Sequence, residues 1–100
     1  MKTRKLEGKN RFLDDNAQEN VVSYYLMEDR GDDLYGIGIE KKKENSDVME
    51  WDEIEKISHS MAYVERIIRQ LIRYQVTPVS LAESVDALMI MEEEEDDTIL

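Results

Sequence analysis

The stretch Ser58–Tyr74, SHSMAYVERIIRQLIRY, constrains the fold of this chain more than any other. On a helix, Met61, Val64, Ile67, Ile68, Leu71 and Ile72 fall on one broad face. Glu65, Arg66, Arg69, Gln70 and Arg73 fall on the other. Apolar residues recur at i, i+3, i+4 and i+7 over about four turns, the period of an amphipathic helix. Ser58 or Ser60 supplies the N-cap oxygen for the first backbone N–H groups. So broad an apolar face must be laid on something, and the chain upstream reads as a sheet.

Arg4–Leu13 is a weak strand, with only Leu6, Phe12 and Leu13 apolar, and Asp14–Glu19 is a polar turn. Asn20–Glu28 is a strong strand, rich in β-branched and aromatic residues. Val22, Tyr24 and Leu26 share one side of it; Val21, Tyr25 and Met27 share the other. After the turn Asp29–Asp33 comes a third strand, Leu34–Lys43, where Tyr35, Ile37 and Ile39 alternate with Gly36 and Gly38. Bare glycines on a strand mark a bulge or a close approach of another element. A third turn, Glu44–Asp47, leads into Val48–Ile57, which is either a fourth strand or the lead-in to the helix. Met49, Trp51 and Ile57 share one parity there, Val48 and Ile54 the other.

Pro78 closes the main helix at or before Thr77. Ser80-Leu81-Ala82-Glu83 has the form of a capping box, so a second helix is expected from about Leu81 to about Met91. Leu81, Val85, Leu88 and Met89 form its stripe, and Ile90 and Met91 fall off it. Glu92–Asp97 is a run of six acids that opposes the helix dipole and repels itself. The expected fold is α+β: a three- or four-stranded antiparallel meander followed by two helices packed on one face. Residues 1–91 form one domain, and residues 92–100 are expected to be a disordered acidic tail.

The charge is unevenly placed. Residues 1–43 carry nine basic and nine acidic groups; residues 44–100 carry four and fifteen, which is the whole net charge of −11. Such a chain repels nucleic acid and anionic lipid at long range, which argues against either as a direct partner. With no cysteine, disulfides, thiolate metal sites and thiol catalysis are excluded. The basic start Met1–Lys9 has no apolar run behind it. A signal peptide needs one, so a cytoplasmic protein is expected.

Tyr24-Tyr25-Leu26, Tyr35-Gly36-Ile37, Ile39, Ile57-Ser58, Val64-Glu65 and Leu71 recur in a known order and spacing. Val76-Thr77-Pro78, Leu81 and Val85 extend it, so that it covers roughly Val22–Leu88. In these residues the chain resembles a family of short uncharacterised proteins of anaerobic spore-forming bacteria, a domain of unknown function. The resemblance implies a small single domain in the cytoplasm. It implies no site, because the family has no assigned activity, and it does not extend to the acidic tail.

Candidate sites are few. His59, the only histidine, sits beside the N-cap and is expected to be exposed, without the orienting partner a general base needs. Asp14–Glu19 and Asp29–Asp33 lack the ligand order of a calcium loop and read as turn chemistry. Gly36-Ile37-Gly38 lies within a strand, where no phosphate loop is found. The carboxylates of Glu50–Glu55 are abundant rather than specific. Trp51 reads as core or edge cover rather than a ligand platform. Tyr24, Tyr25 and Tyr35 read as sheet residues, since base-stacking aromatics need basic company and only Lys41-Lys42-Lys43 is near. No catalytic residue, cofactor or metal site is expected.

Arg66, Arg69 and Arg73 share one narrow arc of the main helix. They form either an ordinary solvated face or a docking strip for an acidic partner, the chain's own tail included. The expected function is therefore a non-enzymatic regulatory or adaptor module that binds another protein, a homodimer being one form of this. The alternative is an acidic mimic that occupies a nucleic-acid-binding protein. A small enzyme, or a subunit completing one, ranks last.

Overall fold

Three polar turns separate four strands, and each turn holds one non-glycine residue in the left-handed region: Ala17 at φ 59°, Asp33 at 57° and Asn45 at 59°. In the first turn, Asp14 Oδ1 accepts the N–H groups of Asn16 (2.9 Å) and Gln18 (3.1 Å). In the second, Asp29 Oδ1 accepts that of Gly31 at 3.1 Å. Both acidic runs are thus engaged in holding turns. The computed structural model describes residues 2–98, with side chains as far as Glu92.

The strands are β1 (Lys2–Leu13), β2 (Glu19–Asp29), β3 (Leu34–Lys43) and β4 (Met49–Ser58). They form one antiparallel meander in the order β1-β2-β3-β4. The helices are α1 (Met61–Arg73) and α2 (Leu81–Thr98), with a 3-10 turn at Pro78–Ser80 before α2. The fold is the α+β meander and helix pair that the hydrophobic periods predict, in its four-stranded form.

Val48–Ile57, which the sequence leaves open, is strand. Its mixed parity has a physical cause. Between Tyr35↔Ser58 and Ile37↔Ile54 the register shifts, so β4 bulges. A step of two residues on β3 spans four on β4, so Ile57 lies inside the bulge, where strict alternation does not hold. Ile54 and Ile57 both pack against the core, although they are odd and even along the strand.

Ser60, and not Ser58, caps α1: its side chain accepts the Tyr63 N–H at 3.2 Å. Ser58 Oγ instead accepts the Ser60 N–H at 3.0 Å. The C-terminal end closes as a Schellman motif. Val76 N–H reaches Leu71 O (3.0 Å) and Gln75 N–H reaches Ile72 O (3.1 Å), with Gln75 at φ 56° in the place usually held by glycine.

Two expectations for α2 need correction. Ser80 does not form the capping box: it ends the 3-10 turn, and its hydroxyl donates back to Thr77 O at 3.4 Å. Nor does the helix end near Met91; it runs on to Thr98. Glutamate is a strong intrinsic helix former, which favours continuation despite the opposing dipole. The mobility expected of residues 92–100 rests on side chains and ends that lie, beyond Glu92, outside the described residues.

The core lies between the sheet and α1. Val22, Tyr24 and Leu26 of β2, Ile37 and Ile39 of β3, and Val64, Ile67, Ile68 and Leu71 of α1 are buried, with Leu81 and Val85 of α2. One polar network runs through it. Tyr24, fully buried, donates its hydroxyl to Val76 O at 2.7 Å. Asn10 Nδ2 donates to Ile72 O (2.7 Å) and to the Tyr24 hydroxyl (3.2 Å). The network ties β1 and β2 to the segment that closes α1: Ile72 O accepts Asn10 beside the Gln75 N–H, and Val76 O, just past the helix, accepts Tyr24. Burial raises the Tyr24 phenol above its ordinary range, against the opposing Asn10 hydrogen bond. Tyr24→Phe is expected to cost about 1–3 kcal/mol, because a buried acceptor loses its donor. Urea unfolding measures this, and a loss under about 0.5 kcal/mol would show that the carbonyl finds another donor.

Candidate functional site

Arg66, Arg69 and Arg73 all stand exposed on the side of α1 away from the sheet. They do not share one environment. Arg66 leans toward α2, where Nη2 donates to Glu92 Oε2 at 3.4 Å, and its guanidinium stands 5.7 Å from the Tyr63 ring. Glu92 is the first residue of the acidic run, so strip and run do meet, at this one described pair. Arg69 is near enough to Glu7 of β1 for its charge to favour the ionised carboxyl. Beside the strip lies a shallow groove of about 110 Å³ between α1 and α2, lined by Ile67, Gln70, Tyr74, Leu88, Met91 and Glu92. Its surroundings are unusually apolar for solvent: Tyr74 is 61% exposed, Ile90 55% and Met91 54%. Ile90 and Met91, the residues off the α2 stripe, are therefore uncovered here.

Glu7 sits in a bulge of β1, where the register slips between Leu6↔Tyr25 and Gly8↔Tyr24. The slip brings Gly8 under Ile72, whose Cδ1 would lie 2.8 Å from any added Cβ. Glu7 Oε1 is buried without a hydrogen-bond partner among the described residues. Burial first, and then the neighbouring Glu65, raise the Glu7 carboxyl above the ordinary range; Lys5 and Arg69 act against this. A raised folded pKa means that the native state holds the proton more tightly than the unfolded chain. The stabilisation is full below the unfolded pKa and is lost as pH rises through the folded one. Glu7→Gln is thus expected to raise the melting temperature at pH 7 and to leave it unchanged near pH 4, about the unfolded carboxyl value. A melting temperature that falls at pH 7 would show that the Glu7 charge is favourable after all.

Among the described residues, the sheet face away from the helices has no second layer, and side chains from its edges span it. Gly38 is bare because Trp51 lies over it: an added Cβ would meet the indole Cζ2 at 2.7 Å. Gly36 is bare because the bulged β4 backbone crowds it through the carbonyls of Ile54 and Glu55. Arg4 of β1 lies 4.8 Å from the Tyr25 ring and 5.4 Å from the Trp51 ring. The two rings stand 5.8 Å apart. Lys2 Nζ reaches Glu55 Oε1 at 2.6 Å. Trp51 is thus a half-buried cover residue. Sequence reading misses Arg4 as its basic companion, since nothing local links Arg4 to a residue three strands away.

At the turn end of the sheet a cleft of about 340 Å³ is lined by Phe12, Asn20, Lys41, Lys43, Glu50 and neighbours. Its charges are largely engaged. Asp14 pairs with Lys43 at 3.2 Å, and Lys41 stands over the Phe12 ring at 5.6 Å. The Asp14 carboxyl is held well below the usual range, first by the Gln18 backbone N–H and then by the Asn20 amide. His59 is exposed, and its Nδ1 lies 2.9 Å from the Asp33 carbonyl, where Nδ1–H can donate. No group of three or more metal-ligating side chains comes together among the described residues. No helix there is long and apolar enough to cross a membrane.

No curated protein and no solved structure matches the chain. A family model does match, over residues 3–91, from the start of β1 through the exposed pair Ile90–Met91 of α2. The chain therefore belongs to that family, a family of unknown function (DUF6514).

Proposed function

We propose that this protein is a non-enzymatic adaptor whose helix layer docks an acidic amphipathic segment of another protein. The observation that carries this reading is the uncovered groove beside the arginine strip. Tyr74 and Met91 of the groove offer apolar contact, and the strip Arg66, Arg69 and Arg73 beside it offers charge. Apolar anchors with a charged rim are what a helix-in-groove partner needs. Glu92, already on Arg66, acts as a tethered competitor that such a segment displaces. Cytoplasmic location and an origin in anaerobic spore-forming bacteria belong to this same reading and rest on the sequence resemblance.

The test is capture of partners from lysate with salt steps, run beside two variants. Met91→Asp and the triple change Arg66→Glu, Arg69→Glu, Arg73→Glu should each abolish capture. A shortened chain without residues 92–100 should bind more tightly. It should also melt within a few degrees of the full chain, because an exposed ion pair is worth under about 1 kcal/mol. Capture that ignores both variants and is lost by about 0.5 M salt, where exposed charges are screened, would overturn the adaptor reading. It would favour the acidic half acting as a nucleic-acid mimic.

A further inference from the structure

The two edges of the sheet carry opposite charge. β1 holds Lys2, Arg4, Lys5, Lys9 and Arg11 against a single acid, Glu7. β4 holds Glu50, Asp52, Glu53 and Glu55 against a single base, Lys56. Each strand pairs on one side only, β1 with β2 and β4 with β3. Each edge therefore presents backbone groups to a further strand. Charge on an edge ordinarily keeps like edges apart, and here it forbids β1 from meeting β1 and β4 from meeting β4. It does not forbid β1 from meeting β4. We propose that copies of this chain associate head to tail, the β4 edge of one pairing antiparallel with the β1 edge of the next.

The ladder of registers locates the contact. Lys9 lies level with Ser23, Glu40 and Trp51 across the sheet. A second copy displaced sideways therefore brings its Lys9 opposite Trp51, diagonal to Glu53 on the same face. Lys5 lies level with Leu26, Ile37 and Ile54, which brings it diagonal to Asp52. Side chains on such diagonals interact. Lys5, Lys9, Asp52 and Glu53 make no ion pair within the described residues, whereas Lys2 and Arg11 are matched to Glu55 and Glu19. Because β1 runs opposite to β4, the added strand continues the antiparallel order and keeps all helices on one side. The contact is heterologous, so it propagates or closes into a ring. It uses neither the groove nor the arginine strip.

Charge exchange tests this. Sedimentation of the full chain at low salt should show mass rising above the monomer with concentration, and monomer alone at about 0.5 M salt. The variant Lys5→Glu, Lys9→Glu leaves the β1 edge without net charge and sets acid against acid at both diagonals; the variant Asp52→Lys, Glu53→Lys makes the β4 edge weakly basic and sets base against base there. Each alone should self-associate at least about tenfold more weakly than the native chain. An equimolar mixture of the two should associate again. All four positions lie outside the buried core, and circular dichroism verifies that each variant is folded. A native chain that stays monomeric at low salt, variants that associate as the native chain does, or a mixture no larger than its parts would each overturn the proposal.

Discussion

Leu71→Ala is expected to lower the unfolding free energy by about 2–5 kcal/mol, the range for opening a cavity in a packed core. Leu71 is fully buried, at the centre of the α1 face that lies on β2 and β3. Its carbonyl also accepts the Val76 N–H that closes the helix, so the cavity opens beside the motif that ends α1. The buried cluster Leu71 belongs to includes branched residues held on the sheet, Ile37 and Ile39 among them, which cannot easily collapse into a gap. Urea unfolding with an unchanged slope would show that stability alone is altered. A loss under about 1 kcal/mol would mean that α1 does not pack on the sheet.

Gly36→Ala should be comparably severe for the opposite reason. The new methyl group would overlap the carbonyl oxygens of Ile54 and Glu55, which belong to backbone and cannot rotate aside. Overpacking ordinarily costs about 1–3 kcal/mol, and a clash with backbone belongs at or above the top of that range. Gly38→Ala is the control, because it meets the far end of the Trp51 ring, a side chain that can swing away. Hydrogen exchange in Gly36→Ala should show lost protection across the β3–β4 ladder and retained protection in β1–β2. Equal losses for the two glycine variants would show that the bulged carbonyls of β4 are not fixed in place.

Periodicity carried the sequence reading far where a single element dictates its own pattern. Val22, Tyr24 and Leu26 on β2, and Val64, Ile67, Ile68 and Leu71 on α1, are buried as their spacing predicts, whereas Ile72 is partly buried and Met61, in the first turn, is exposed. The bare Gly36 and Gly38 do mark a bulge and a close approach. Legibility fails where a pattern depends on another part of the chain. Ile54 and Ile57 look out of phase until the bulge opposite Gly36 is known. Arg4 has no visible role until the sheet carries it to Trp51, and Glu7 none until its own bulge turns it under α1 beside Glu65. Ser80 resembles a helix cap because the 3-10 turn before it leaves no mark beyond Pro78. The arginine strip is legible as an arc. Its division between Glu92, beside Arg66, and Glu7, near Arg69, is not.

The Asn10–Tyr24 network also sets an order of events during synthesis. Each hairpin of the meander joins sequence neighbours, so the strands can pair in turn as they emerge. The network spans 62 residues from Asn10 to Ile72 and 52 from Tyr24 to Val76. Until Val76 has left the ribosome, the Tyr24 hydroxyl has no such acceptor, and the apolar face of β2 lies open to solvent and to other chains. The nascent protein is therefore most exposed to aggregation in the interval between completing the sheet and completing α1. The lysines and arginines of β1, made before the other strands, charge the sheet's leading edge throughout that interval.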